Sequence, residues 1–185
     1  MMDTFEAIYN RRSVRQYKDT PVSEEMLHKV LDAARWAPSW ANTQCTRYVV
    51  VKDPAVKARL AGTLNKGNPA TEAIKQAPLV IVACAELGKS GYYKGSIVTD
   101  RGEEWFMFDV GIAMQNLSLA AQALGLGTAH VGYIPDSKKV DEILGLPGGV
   151  VSVEMTPLGY PSGEAKAPPR RELADIVFYE KYGKH

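Results

Sequence analysis

Three guanidiniums and a hydroxyl fall within five residues at Arg11-Arg12-Ser13-Val14-Arg15. A guanidinium is a planar fork of five donors that matches phosphate geometry bidentately. A second basic pair, Arg170-Arg171, stands near the other end of the chain. Between them runs Ala37-Pro38-Ser39-Trp40-Ala41-Asn42-Thr43-Gln44, dense in amides and hydroxyls. Such groups suit the edge of a polar heteroaromatic ring better than a phosphate. Together these stretches point to a phosphorylated, ring-bearing cofactor. An arginine cluster also serves as an ordinary solvated face, so spacing alone leaves both readings open.

Other chemistries lack their motifs. No GxGxxG follows a strand, no GxxxxGK[ST] is present, and no GxSxG elbow occurs. His28, His130 and His185 are not joined by zinc-type spacing. Cys45 and Cys84 form no CxxC and read as two small buried apolar residues, which fits a reducing cytoplasm. With no protein nucleophile evident, a cofactor is expected to carry the chemistry. A net charge of +1 offers no broad field for nucleic acid or an anionic membrane. No apolar leader opens the sequence, and the apolar stretch 105–126 is broken by Asp109, Gln115, Asn116 and Gln122. It reads as a buried helix, not a membrane span.

The elements that must hold these residues are legible from local signals. The chain has 185 residues, 45% of them hydrophobic and 23% charged, enough for one well-buried core. Asp3-Thr4-Phe5-Glu6 reads as a capping box opening a short helix to Asn10 that delivers the arginine cluster. Ser23 caps a second helix whose Met26, Leu27, Val30, Leu31 and Ala34 share one face, and Pro38 ends it. Tyr48 to Val51 reads as a buried strand, Asp53-Pro54 as the start of a helix, and 69–77 as another short helix. Leu79-Val80-Ile81-Val82-Ala83-Cys84-Ala85 is apolar without alternation, so both its faces should be covered. Residues 88–104 form a long excursion of the kind that serves as a functional lid. Trp105 to Leu124 should be the central helix, stopped by Gly125-Leu126-Gly127. Then come a strand and turn over 128–134, a helix from Ser137 to Leu144, a strand over 150–155 and a turn at Gly159-Tyr160-Pro161. Residues 162–169 are polar, Pro-rich and irregular. The apolar run Ile176-Val177-Phe178-Tyr179 reads as an edge strand for this sheet or for a partner's. The fold class is α+β, with a sheet of four or five strands.

Taken in order, Arg11-Arg12-Ser13-Val14-Arg15, Ala37-Pro38-Ser39 with Asn42 and Gln44, Gln115-Asn116-Leu117 with Gly125-Leu126-Gly127, and Leu158-Gly159-Tyr160-Pro161 resemble the nitroreductase family. The resemblance covers nearly the whole chain. It implies one FMN-binding domain over residues 1–185, with a central, mostly antiparallel sheet flanked by helices. It implies a homodimer with a domain-swapped C-terminal segment and no nucleic acid or membrane partner. The expected activity is electron transfer from NADH or NADPH, through tightly but non-covalently bound FMN, to a nitro compound or quinone by a ping-pong mechanism. Specialised flavin enzymes of the same fold (a dehalogenase, an azoline oxidase or a flavin-fragmenting enzyme) and a non-catalytic FMN-binding protein are the alternatives.

The resemblance assigns roles residue by residue. Arg11 and Arg170 match residues that hold the FMN phosphate, with Arg171 as a possible assistant. Arg12 and Ser13 lie beside it toward the ribityl chain. Arg15 matches the basic residue near N1 and the C2 carbonyl, where it tunes the flavin. Pro38, Ser39, Asn42 and Gln44 match a loop that reaches the flavin of the other subunit. His130, Val131 and Gly132 match the segment whose backbone lies by the N5 edge. Two departures bear on substrate class. Cys45-Thr46 stands where the family often has Pro-Trp, and His130 stands where many members carry Trp. Trp40 could wall the substrate site or anchor a dimer. Tyr92, Tyr93 and Trp105 could line a lid or pack locally. His130 could tune the flavin or be a satisfied, partly buried histidine.

Overall fold

The computed structural model describes residues 2–184. Four strands form one antiparallel sheet in the order β1-β2-β6-β5: β1 Thr46–Val51, β2 Leu79–Glu86, β6 Val150–Gly159 and β5 Gly127–Thr128. The unbroken apolar run of β2 has the expected consequence. Its alternate residues enter two separate cores. Leu79, Ile81, Ala83 and Ala85 pack against Val30 of α2 (Glu24–Arg35) and against Met114 and Leu117 of α5 (Trp105–Ala123). Val80, Val82 and Cys84 pack against Leu60 of α3 (Pro54–Ala61), Ile74 of α4 (Thr71–Gln76) and Val140 of α6 (Ser137–Leu144). Burying both faces of one strand in this way gives the largest apolar burial per residue a sheet can offer.

Helix starts follow the local chemistry. In α1 (Thr4–Asn10), Asp3 accepts from the Glu6 amide and the Glu6 side chain accepts from the Asp3 amide. Ser23 and Asp53 cap α2 and α3, and Asp136 caps α6. Each satisfies donors that the first helical turn leaves without partners. Gly145 ends α6 at φ 63°, a left-handed cap that glycine takes without a Cβ penalty.

Four expectations need correction. The strand at Tyr48 is the sheet edge, with Tyr48, Val49 and Val50 only half-buried, because β2 pairs on just one side of it. The segment 128–134 is strand only through Thr128. After that it touches β6 at the single bridge Val131–Met155, and Pro157 sits in β6 between these two contacts. The chain does not turn at Gly159-Tyr160-Pro161. β6 runs on through Gly159, the Tyr160 carbonyl accepts from the Lys18 amide, and Pro161 bridges Tyr17. The run Ile176 to Tyr179 forms no strand. It follows a 3-10 turn (Leu173–Asp175), and the Val177 and Tyr179 amides donate to the Leu173 and Lys184 carbonyls instead of to a sheet.

Residues 88–104 are not a structureless loop. They hold a small hairpin, β3 (Tyr92–Tyr93) with β4 (Ser96–Ile97), and a 3-10 turn at Gly102–Glu104. The backbone closes tightly at its neck, where a Cβ on Gly91 would lie 2.1 Å from the Gly102 carbonyl oxygen. The two residues can pass each other only because one lacks a side chain. Among the described residues no helix is long and apolar enough to cross a membrane.

Candidate cofactor site

Helix α1 stops at Arg11, whose φ/ψ is extended, and the chain continues as a ribbon alongside the sheet. The Val14 amide donates to the Thr128 carbonyl at 2.8 Å, the Ser162 amide donates to the Gln16 carbonyl at 3.1 Å, and Ser13 bridges Thr128. Val14 and Tyr17 turn inward onto Ala73 and Ala77. The Tyr17 hydroxyl is buried and donates to the Val14 carbonyl at 2.7 Å, and burial holds its pKa above the usual range. Anchoring Val14 and Tyr17 inside leaves the arginines that flank Val14 to face outward.

Arg11, Arg12, Arg15, Lys166 and Arg170 line one cavity of about 500 Å³, together with Ser13 and a single carboxylate, Glu164. None of these cations forms an ion pair with a carboxylate among the described residues. Burial first, then the charges of Arg12 and Arg170, press the Arg11 guanidinium below its usual pKa. The cavity is therefore a concentration of uncompensated positive charge in a partly dry place, which a dianionic phosphate would relieve. The residues present fit such a group.

Two of the arginines show further detail. Arg12 Nη1 donates to the Tyr9 carbonyl at 2.6 Å and to the Arg11 carbonyl at 2.8 Å. It thus caps the C-terminus of α1, a place where a cation is stabilised by the helix carbonyls. Arg171 is not among the cavity's lining residues, whereas Arg170 is, its Nη1 donating to the Pro168 carbonyl at 3.1 Å. Of the second basic pair, Arg170 is thus the one that lines the cavity.

The polar loop lies apart from this cavity. Pro38, Ser39 and Gln44 line a second one of about 260 Å³ with Arg47, Tyr48 and Asp109, and it shares no residue with the first. Asn42 is exposed at the tip of a 3-10 turn (Trp40–Asn42). Ala41, Asn42 and Gln44 all have positive φ, at 45°, 56° and 50°. Only Asn among these has a side chain that eases the left-handed region, so the loop is held against its own preference. Within one chain, then, the arginine cavity and the polar loop lie apart.

His130, Val131 and Gly132 line neither cavity. His130 Nδ1 lies 2.9 Å from Glu154 Oε1 and its Nε2 lies 3.1 Å from Ser118 Oγ, so both ring nitrogens are engaged. The satisfied-histidine reading fits this geometry. Trp40 is half-buried. Tyr92 donates to Glu103, and Trp105 Nε1 donates to Thr99 Oγ1 at 3.0 Å while its ring meets Phe108 edge-on. These two pack locally, and Tyr93 alone projects into solvent.

The sequence reading missed Asp109, taken there only as a break in an apolar stretch. Its carboxylate is buried in α5, and Oδ1 accepts from the Trp40 amide at 2.8 Å. Oδ2 accepts from Ser90 Oγ at 2.8 Å and from the Cys45 thiol at 3.5 Å. The only charged residue inside a mostly apolar helix was the available signal. Its partners are too distant in sequence to be guessed.

Both cysteines are free and buried. Burial, then the charge of Asp109, raises the Cys45 pKa to about 11, and burial, then Asp141, raises that of Cys84 to about 12. A raised folded-state pKa favours the protonated thiol. Its contribution to stability is thus complete below the unfolded value near 9 and is lost as pH climbs through 11 to 12. Urea midpoints measured from pH 8 to 11 should fall steadily above pH 9, and less steeply in Cys45→Ala. A midpoint independent of pH in that window would contradict the burial argument.

Comparison with known proteins agrees with this architecture. The nitroreductase family profile matches residues 8–73 and 63–160. The FMN reductase [NAD(P)H] of Bacillus subtilis is 28% identical over 191 residues, covering 98% of this chain and 75% of its own. A nitroreductase family protein from Clostridium novyi NT superposes with a TM-score of 0.76 at 29% identity, over 99% of this chain and 96% of the other. The NADPH:FMN oxidoreductase of Vibrio harveyi, solved in complex with NAD+, superposes with a TM-score of 0.85 at 27% identity, over 98% of this chain and 79% of the other. The antiparallel four-stranded sheet, the buried β2 and the arginine ribbon beside β5 are thus set in a chain that matches one family along most of its length, and the protein belongs to the nitroreductase family.

Proposed function

We propose that the protein is an FMN-dependent oxidoreductase that uses NADH or NADPH to reduce a small aromatic acceptor, a nitro compound or quinone, by a ping-pong mechanism. The observation that carries this reading is the cavity in which Arg11, Arg12, Arg15, Lys166 and Arg170 meet with one carboxylate and no ion pair. When bound, FMN supplies two-electron chemistry, accepting a hydride from a reduced nicotinamide and returning electrons to a second substrate. The FMN reductase and the NADPH:FMN oxidoreductase among its relatives support that cofactor.

The chain's own residues have distinct tasks in this reading. Arg11 and Arg170 bind the phosphate as forks, with Ser13 offering a hydroxyl beside it. Arg12 fixes the end of α1 and so aims Arg11. The Arg15 guanidinium has only a long contact to the Ser13 carbonyl, at 3.5 Å, and is free to meet the N1 and C2-carbonyl edge of the ring. Pro38, Ser39, Asn42 and Gln44 present their polar groups to the ring held by a second subunit. His130, Val131 and Gly132 border its N5 edge. Residues 1–185 act as one domain in a reducing cytoplasm.

A homodimer with an exchanged C-terminal segment would unite the two half-sites. The apolar surface left uncovered supports it. Phe5 and Tyr9 of α1, Met107 and Phe108 of α5, and Leu173 and Tyr182 of the tail are all more than half exposed. Large apolar side chains left exposed in this number are what a partner's surface would cover, and an obligate dimer would bury roughly 2,000 Å² or more.

Initial rates test the mechanism. With NADPH and a quinone varied together, double-reciprocal plots should form parallel lines, because one cavity serves both substrates in turn. Intersecting lines would mean that donor and acceptor are bound together, and would remove the ping-pong reading.

A further inference from the structure

We infer that Asp109 is a positioning residue whose buried carboxylate ties the polar loop 39–44 to the 88–104 excursion and thereby sets the geometry met by the aromatic acceptor. This rests on the proposal that the loop borders the flavin ring.

The carboxylate has no cationic partner among the described residues. It is 1% exposed, and its nearest buried neighbours along the helix are Val110, Ala113, Met114 and Leu117. An unpaired buried charge is expensive, and an apolar residue of similar volume would serve stability as well or better. What the charge does instead is gather donors from three separate stretches of chain. Trp40 N–H comes from the loop, the Cys45 thiol from the residue that precedes β1, and Ser90 Oγ–H from the foot of the excursion. Bonds to a carboxylate are shorter and stronger than neutral ones, and both oxygens are used.

Each tied segment needs such a clamp. The loop places three of the four residues 41–44 (Ala41, Asn42 and Gln44) at positive φ. Ala41 has no side-chain group to favour that conformation. Strain of this kind persists only where surrounding bonds over-determine it. The bonds here are Trp40 N–H to Asp109, Gln44 N–H to Ser39 Oγ at 2.9 Å, and Arg47 Nη1 to the Gln44 carbonyl at 2.7 Å. The excursion is packed at its foot, where Ser90 is 3% exposed and Gly91 abuts Gly102; its hairpin turns at Lys94-Gly95, with Lys94 Nζ over the Tyr93 ring, and Ile97 and Val98 are exposed on the returning side. The exposed side chains of Tyr93, Ile97 and Val98 offer a flat aromatic acceptor apolar surface. Because Ser90 and Trp40 bond to the two oxygens of one carboxylate, a shift of the excursion is transmitted to the loop across a single side chain.

Ser90→Ala cuts the excursion from the carboxylate and leaves the bonds of Trp40 and Cys45. In the FMN-loaded enzyme it should raise KM for a bicyclic quinone on the order of tenfold, the size of one charged hydrogen bond. FMN affinity and the rate of anaerobic flavin reduction by NADPH should stay unchanged. Asp109→Asn, which turns an N–H toward these donors, should raise both the quinone KM and the FMN Kd. A residue with a merely structural role would lower the melting temperature in both variants and leave the quinone KM of the folded enzyme unmoved, and that result would overturn the assignment. Wild-type protein that binds no FMN would remove the reading of the site itself, a result distinguishable from the first because it needs no variant.

Discussion

Arg11→Ala should bind FMN roughly 10- to 100-fold more weakly than the wild type, the equivalent of about 1.5–3 kcal/mol for a charged hydrogen bond. The reasons are local. Arg11 is partly buried in the cavity, its charge is opposed by Arg12 and Arg170, and no protein carboxylate neutralises it. The same reasoning fixes the effect on the apoprotein. Removing one of several crowded like charges relieves repulsion, so apo Arg11→Ala should melt no lower than the wild type. Loss of affinity without loss of stability separates a binding role from a folding one. Arg171→Ala, outside the cavity, should leave FMN affinity close to that of the wild type. Arg15→Ala should also keep most of the affinity but lower the flavin's reduction potential, because a cation at the pyrimidine edge favours the state that carries more negative charge. Arg15→Lys should restore much of that potential. Isothermal titration with FMN checks the affinities, thermal melts of the apoproteins check the stability, and a dye-coupled redox titration checks the two Arg15 potentials. Equal affinity in Arg11→Ala and wild type would mean that the phosphate lies elsewhere.

Gly127→Ala should damage both fold and site. A Cβ on Gly127 would come within 2.6 Å of Val14 Cγ2 and 2.7 Å of Val14 Cβ. Val14 cannot yield cheaply. It is β-branched and stiff at χ1, its side chain is buried, and its amide is bonded to Thr128, the next residue of β5. Overpacking of this kind costs about 1–3 kcal/mol, or a melting temperature lower by roughly 2–10 °C for a chain of this size. The displaced residue lies between Ser13 and Arg15, so FMN affinity should fall together with stability. Combining Gly127→Ala with Val14→Gly removes the clashing Cβ together with both methyl groups and should recover FMN affinity beyond what the single changes would sum to. Additive losses in the double variant, measured by thermal melts and FMN titration, would show that the clash is not the cause.

Elements whose signals are local were legible in the sequence. Ser23, Asp53 and Asp136 satisfy amides two or three residues away, so the starts of α2, α3 and α6 needed no tertiary information. The run 79–85 announced a strand covered on both faces because nothing polar interrupts it. The failures came where distant partners decide. β6 continues past Pro157 because Leu158 and Gly159 pair with a β5 some thirty residues earlier, Thr128↔Leu158 and Gly127↔Gly159, and Pro157 occupies the gap before Val131–Met155. The 48–51 run is apolar like β2 but takes an edge, which composition does not distinguish from a centre. The candidate site divides in the same way. Arg11 to Arg15 were legible because adjacent residues make the cluster. Arg170 joins them only through folding, and the single-residue choice between Arg170 and Arg171 was beyond a sequence pattern. Asp109 stayed invisible because its partners Trp40 and Ser90 lie 69 and 19 residues away.

The proposed function stands on one cavity holding a flavin phosphate and one nicotinamide supplying electrons to it. The most direct test uses protein loaded with FMN, freed of excess flavin by gel filtration and held without oxygen. On addition of NADPH or NADH the visible flavin band should bleach in a single exponential phase with one of the two donors, and an added quinone should restore it. Arg11→Ala and Arg170→Ala should emerge from the same column largely colourless. Protein that retains no flavin, or retains flavin that neither nicotinamide bleaches, would contradict the account.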